Sequence, residues 1–249
     1  MRILMATARR LVFISLCATV LVACGDDDAD GDSSLATATS DAALTATRIL
    51  GVASDRLDAT RTVHFTLGVE GRTYIDEDNT IQILSAEGNL QRPDRVQASF
   101  VANLLGRANV TIRIITVGAV TWWTDLVSGA WGLAPPEIGY DASVLFDDAI
   151  GLAPVLRAFT TSERAGIDQI DDADAYHITG RMPRSVIDDV TANTLSGETV
   201  EVQVWIDRAT SNILRVVVTE LEDVPDADRV TWTLDISRHD EPITIEPPI

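Results

Sequence analysis

From Thr62 onward the chain alternates apolar and polar residues with a period of two, and it does so in run after run. Val63, Phe65, Leu67 and Val69 interleave with His64, Thr66, Gly68 and Glu70. A period of two sends alternate side chains to opposite faces of a pleated strand, so each run can bury one face and wet the other. Further runs fall at about residues 81–91, 95–103, 109–117 and 119–124, then at 162–169 and 175–182. Val96, Ala98, Phe100 and Ala102 share one face, as do Val110, Ile112 and Ile114. Near the C-terminus Val200, Val202, Val204 and Ile206 alternate with Glu201, Gln203, Trp205 and Asp207. Leu214, Val216 and Val218 repeat the pattern, as do Val230, Trp232, Leu234 and Ile236, and a last strand is expected near 243–245. Such runs, joined by turns like Arg92-Pro93-Asp94 and Leu105-Gly106-Arg107, spell half-buried antiparallel sheet. About ten strands are too many to lie flat, so the sheet should twist and curl.

Three segments switch to helical spacing. Residues 41–59 follow the N-cap residue Asp41 and carry Leu44, Thr47, Ile49, Leu50, Val52, Ala53 and Leu57 as a stripe. Leu133-Ala134-Pro135-Pro136 breaks the sheet after Trp131. Residues 141–159 then read as a helix interrupted near Gly151 and Pro154, apolar over a wider arc than a surface helix requires. A short third helix is expected at 183–194, with Pro183 suited to its first turn. The fold class is therefore α+β: a strongly curved antiparallel half-barrel with helices packed in its concave face. A curled sheet holding helices in this way readily leaves an apolar space. The residues expected around it are Val96, Phe100, Val110, Ile112, Leu145, Ile150, Val155, Leu156 and Phe159, although a filled core would use the same side chains.

The N-terminus reads differently. Arg2, Arg9 and Arg10 precede an apolar run from Leu11 to Ala23, and Leu21-Val22-Ala23-Cys24 closes it. The run is shorter than the ~20 residues that span a bilayer but suits the core of a signal peptide. Small Ala23 lets a peptidase reach the backbone, and the Cys24 thiol is the natural acceptor for a diacylglycerol thioether. Cys17 is a poorer acceptor behind bulky Leu16. The expected organisation is a lipoprotein signal at 1–23, a lipidated Cys24 with an acidic tether at 24–40, and one domain at 41–249. As a flexible chain the tether would span roughly 20–25 Å. The domain would then sit on the outer, extracytoplasmic face of a cell membrane, held by lipid.

Charge excludes some functions. The leader carries three of the 19 arginines and no acid, so the mature chain keeps 16 arginines against 38 carboxylates, a net charge of −22. Such a surface repels phosphate backbones, so no nucleic-acid partner is expected. The only cysteines are Cys17 and Cys24, which leaves the domain without a disulfide or thiolate metal site. Asp26, Asp28, Asp30 and Gly31 match half of a calcium-loop pattern, but Thr37 stands where the bidentate glutamate is needed. His64, His177 and His239 lie on polar strand phases or beside a turn, and no nucleophile elbow or metal-binding helix motif occurs. No catalytic residues, metal or cofactor are expected. Trp122 and Trp123 must point to opposite sheet faces, so one can pack while the other lies at a cavity rim or membrane side.

Certain stretches carry a family likeness. They are Leu57-Asp58-Ala59-Thr60-Arg61-Thr62-Val63-His64-Phe65, Gly129-Ala130-Trp131, Tyr140-Asp141 leading to Gly151-Leu152, Val204-Trp205-Ile206-Asp207, and the terminal Glu246-Pro247-Pro248-Ile249. In this order, behind a lipidation motif, the chain resembles the mycobacterial LppX/LprA/LprF/LprG lipoprotein family. Ala142 departs from a proline the family often carries, and the acidic tether departs from the basic character of some members. The resemblance implies a half-barrel whose large apolar cavity takes up acylated lipids or lipoglycans for movement to the outer envelope. The limited reach of the tether adds the expectation of local loading from the anchoring membrane, with a transporter partner. Two other readings remain open at this stage: a LolA-like carrier of lipoproteins, and an interaction module with a filled core.

Overall fold

The computed structural model describes residues 45–74, 78–126, 128–135, 144–145, 147–191, 193–221, 224–225 and 229–248. Cys24, the acidic run 26–32 and the cap residue Asp41 lie outside the described residues.

Among the described residues, eleven strands form one antiparallel sheet. They are β1 (Thr62–Glu70), β2 (Ile81–Gln91), β3 (Arg95–Leu104), β4 (Ala108–Val117), β5 (Val120–Thr124), β6 (Trp131–Leu133), β7 (Thr161–Ile170), β8 (Ala173–Pro183), β9 (Thr199–Asp207), β10 (Ile213–Glu220) and β11 (Thr231–Ser237). Two meanders, β1 to β6 and β7 to β11, are stitched by a β1–β11 pair, giving the order β6-β5-β4-β3-β2-β1-β11-β10-β9-β8-β7. The outer strands β6 and β7 do not pair with each other, so the barrel stays open.

The extra strand, beyond the ten or so expected, is β6. It pairs Trp131 with Thr124 and Leu133 with Trp122, one turn beyond where the hydrophobic pattern fades. The expected strand at 243–245 is absent. Ile245 is nonetheless buried, at 1% exposure. Its N–H goes to the Gln91 side chain (3.2 Å) and its carbonyl takes Arg95 (2.6 Å), so side chains replace a ladder that Pro242 and Pro247 could not extend. A bulge in β10 between Ile213 and Arg215 corrects another detail: Ile213, not Leu214, faces the core beside Val216.

Helix α1 (Ala46–Ala59) starts at Thr45, whose hydroxyl accepts the Arg48 N–H at 3.3 Å. Ile49, Leu50, Ala53 and Leu57 recur at helical spacing and are buried. The Arg92 guanidinium closes the far end, donating to the carbonyls of Leu57 and Thr60 where helical partners run out.

The long second helix is not seen among the described residues of 141–159, where α2 (Leu152–Arg157) is the α-helical part. The Asp147 carboxylate accepts from the backbone of Ala149 (2.7 Å) and Ile150 (3.1 Å), an alternative to the helical ladder. Gly151 then packs so tightly against the Asp147 and Leu145 carbonyls that any Cβ there would overlap them. The third helix shrinks to a 3-10 turn at Arg184–Val186. Ser54, fully buried on α1, donates its hydroxyl to the Ala153 carbonyl (2.7 Å) and fastens the two helices together.

Candidate functional site

The inward faces of β1–β4 and β9–β11, with α1, α2 and the segments beside them, enclose a cavity of about 370 Å³. Ile112 on β4 and Val202 on β9 both line it, although six strand spacings separate these strands in the sheet. At ~4.8 Å per spacing a flat sheet would hold them nearly 30 Å apart, so the shared wall requires the curl. The volume falls in the ~300–1,000 Å³ range of small-molecule sites.

Of the residues expected around this space, Val96, Phe100, Ile112, Leu145, Val155, Leu156 and Phe159 line the wall. Two do not. Val110 sits near the start of β4 and packs, half-buried, against the core beyond the wall. Ile150 is 41% exposed, because the Asp147-capped turn replaces the helix that would have carried it inward. On the opposite wing Phe65, Val216, Trp232 and Leu234 complete the wall. Their alternation was visible, but it did not say that this wing curls back to face β3 and β4.

Phe159 reaches the wall because β8 offers no side chain beneath it. A Cβ on Gly180 would overlap the Thr161 carbonyl and the Phe159 ring. Gly180→Ala is therefore expected to lower stability by about 1–3 kcal/mol through overpacking, read as a shifted urea midpoint. An unchanged midpoint would contradict this packing.

Among the described residues the wall offers hydrocarbon almost exclusively. Its hydroxyls are turned to backbone carbonyls: Thr60 to Arg56 (2.9 Å), Thr62 to Glu241 (2.6 Å), Thr191 to Ile187 (2.9 Å) and Thr194 to Thr191 (2.6 Å). The buried Nε1 of Trp232 has no hydrogen-bond partner among the described residues, at a cost of about 1–3 kcal/mol. A guest would be held by burial of its chains, at ~0.8 kcal/mol per methylene, with little directional selection.

The histidines find structural partners elsewhere. His64 meets Asn89 (3.0 Å) across β1 and β2. His177 stacks on Trp205 with centroids 4.3 Å apart and contacts Asp168 (3.0 Å) and Gln203 (3.0 Å) on the outer face. Burial pushes the His239 pKa down, against the opposing effect of the Ile213 carbonyl beside it. Among the described residues no group of three or more His, Cys, Asp and Glu could hold a metal ion, and no helix is long and apolar enough to cross a membrane. Trp123 packs on the core side while Trp122 points to the other face, and Trp131 lies under the Arg113 guanidinium at 5.6 Å.

Residues 45–245 match the family described as LppX_LprAFG lipoprotein. The chain belongs to that family. The lipoarabinomannan carrier protein LprG of Mycolicibacterium hassiacum is 26% identical over 194 residues, covering 75% of this chain and 77% of LprG. LprF from Mycobacterium bovis superposes with a TM-score of 0.65 at 19% identity, over 82% of this chain and 96% of LprF. LppX from Mycobacterium tuberculosis gives 0.55 at 18% identity, over 80% and 98%. The open antiparallel sheet with helices is thus the LppX_LprAFG fold, and the cavity of this member lies between those two layers.

Proposed function

We propose that this LppX_LprAFG lipoprotein binds acylated lipids or lipoglycans in the cavity and helps transfer them toward the outer cell envelope. The observation that carries the reading is the wall itself: an apolar cavity left open in a core whose hydroxyls are already satisfied within the protein. A filled core would have no reason to leave such a space, since empty volume forfeits dispersion contacts. The name of the relative LprG, a lipoarabinomannan carrier, supports the same ligand class. In this reading residues 1–23 are removed and Cys24 carries the anchor. Residues 24–40 tether the domain at 41–249 to the outer face of the cell membrane, and a transporter supplies the ligand. The protein acts by carriage and not by catalysis.

The test is the protein's own cargo. Full-length protein purified from its native membrane, extracted with organic solvent and analysed by mass spectrometry, is expected to release acylated lipid in a fixed ratio to protein. Extracts that hold nothing beyond the covalent anchor would overturn the reading.

A further inference from the structure

Among the described lining residues of the cavity, Arg61 is the one that is charged, and it is also the one that is exposed. Its side chain is 82% exposed, so this lining residue also meets solvent. It lies in the short connection between α1 and β1, next to Thr60 and Thr62, which are both buried. The backbone is pinned there: the Arg61 N–H donates to Asp240 Oδ1 at 2.8 Å. That bond, ahead of the Arg56 guanidinium, holds the Asp240 carboxyl below the usual carboxylate range.

Asp240 is consequently spoken for. Oδ2 takes Arg56 at 2.8 Å and Oδ1 takes the backbone N–H, while the Arg61 Nε stays 4.0 Å away, beyond hydrogen-bond reach. The other carboxylates on the neighbouring turn of α1 are also matched. Asp58 faces Arg92 (3.7 Å) and Arg157 (3.2 Å), and Asp55 faces Arg157 (2.7 Å). The chain carries a net charge of −19, yet the charged residue on the described cavity wall is a guanidinium with an exposed side chain.

We infer that Arg61 is a headgroup-selecting residue that binds the anionic phosphate of an acylated lipid whose chains fill the cavity. This rests on the lipid-binding reading above and narrows it to anionic amphiphiles. A guanidinium suits a phosphodiester because it offers paired, always-charged donors. The same chemistry could attract free inorganic phosphate, so the test separates the two sources.

Detergent-solubilised full-length protein is stripped of lipid and incubated with vesicles of equimolar dioleoylphosphatidylglycerol and dioleoylglycerol. The ratio of the two lipids recovered on the protein is then measured, a quantity independent of the fraction folded. Wild type is expected to enrich the anionic lipid about threefold over Arg61→Gln at low salt, the size of effect typical of a solvent-exposed ion pair. Arg61→Lys should retain part of the enrichment, and high salt should erase it. Equal ratios in wild type and Arg61→Gln, or an equal loss of both lipids in the variant, would overturn the inference. So would inorganic phosphate that protects wild type but not Arg61→Gln against thermal unfolding while the lipid ratio stays unchanged, which would mark a free-anion site. Failure of wild type to take up either lipid would sink the lipid-binding reading itself.

Discussion

Replacing Ala102 with tryptophan is expected to strip most bound lipid from this protein while leaving it folded. Ala102 is 1% exposed on β3, lines the cavity, and sits between Ile83 of β2 and Val110 of β4. Because Ala102 lines the cavity, an indole there projects into it. If it displaces about four methylenes of guest, the lost burial is ~3 kcal/mol, or roughly a hundredfold in affinity. The same space accommodates the added ring, so the stability cost should stay at the low end of the ~1–3 kcal/mol usual for overpacking. In a domain of this size that is a fall of a few degrees in melting temperature. Ile150→Trp serves as the control, since Ile150 is exposed and off the wall. Lipid extraction from both variants checks the result. Undiminished lipid on folded Ala102→Trp protein would show that the guest lies elsewhere.

Cys24→Ala is expected to produce the largest change in location. One acyl chain holds a protein only marginally, whereas a diacylglyceryl thioether supplies the two chains that stable anchoring needs. Without the thiol there is no acceptor, and Cys17 behind Leu16 is a poor substitute. The variant should accumulate as an uncleaved precursor or appear in the soluble fraction. Detergent-phase partitioning and the mass of the N-terminal peptide report both outcomes. Partitioning unchanged from wild type would remove Cys24 from its proposed role.

The strands were legible because each carries its own signal. In β9 the alternation from Val200 to Ile206 needs no knowledge of any other strand, and the buried set follows from it directly. Where legibility failed, a local polar group had overruled hydrophobic spacing. Leu145, Ile150, Leu152 and Leu156 suggest one long helix, but the Asp147 carboxylate captures the backbone amides that would have continued it. Ile243 and Ile245 suggest a strand, but flanking prolines removed donors, and Gln91 with Arg95 took over the satisfaction of Ile245. Bulges are equally silent in sequence. The one in β10 traded Leu214 for Ile213 without disturbing the apolar character of the run.

The sequence by itself determined the fold class, the curled antiparallel plan and the inward faces of β3 and β4 that carry Val96, Phe100 and Ile112, because strand periodicity and the count of strands are properties of the chain read locally. Only the tertiary structure decided which wing faces those strands. The β1–β11 pair joins the two meanders, and the curl then brings Val202, Val216 and Trp232 opposite Phe100 and Ile112. It alone placed Arg61 on the cavity wall, since that position depends on α1 docking into the concavity and on Asp240, 179 residues away, fastening the backbone of the connection. Contacts between residues so distant in the chain leave no periodic trace, because they are selected by shape and charge in three dimensions and not by the spacing of neighbours.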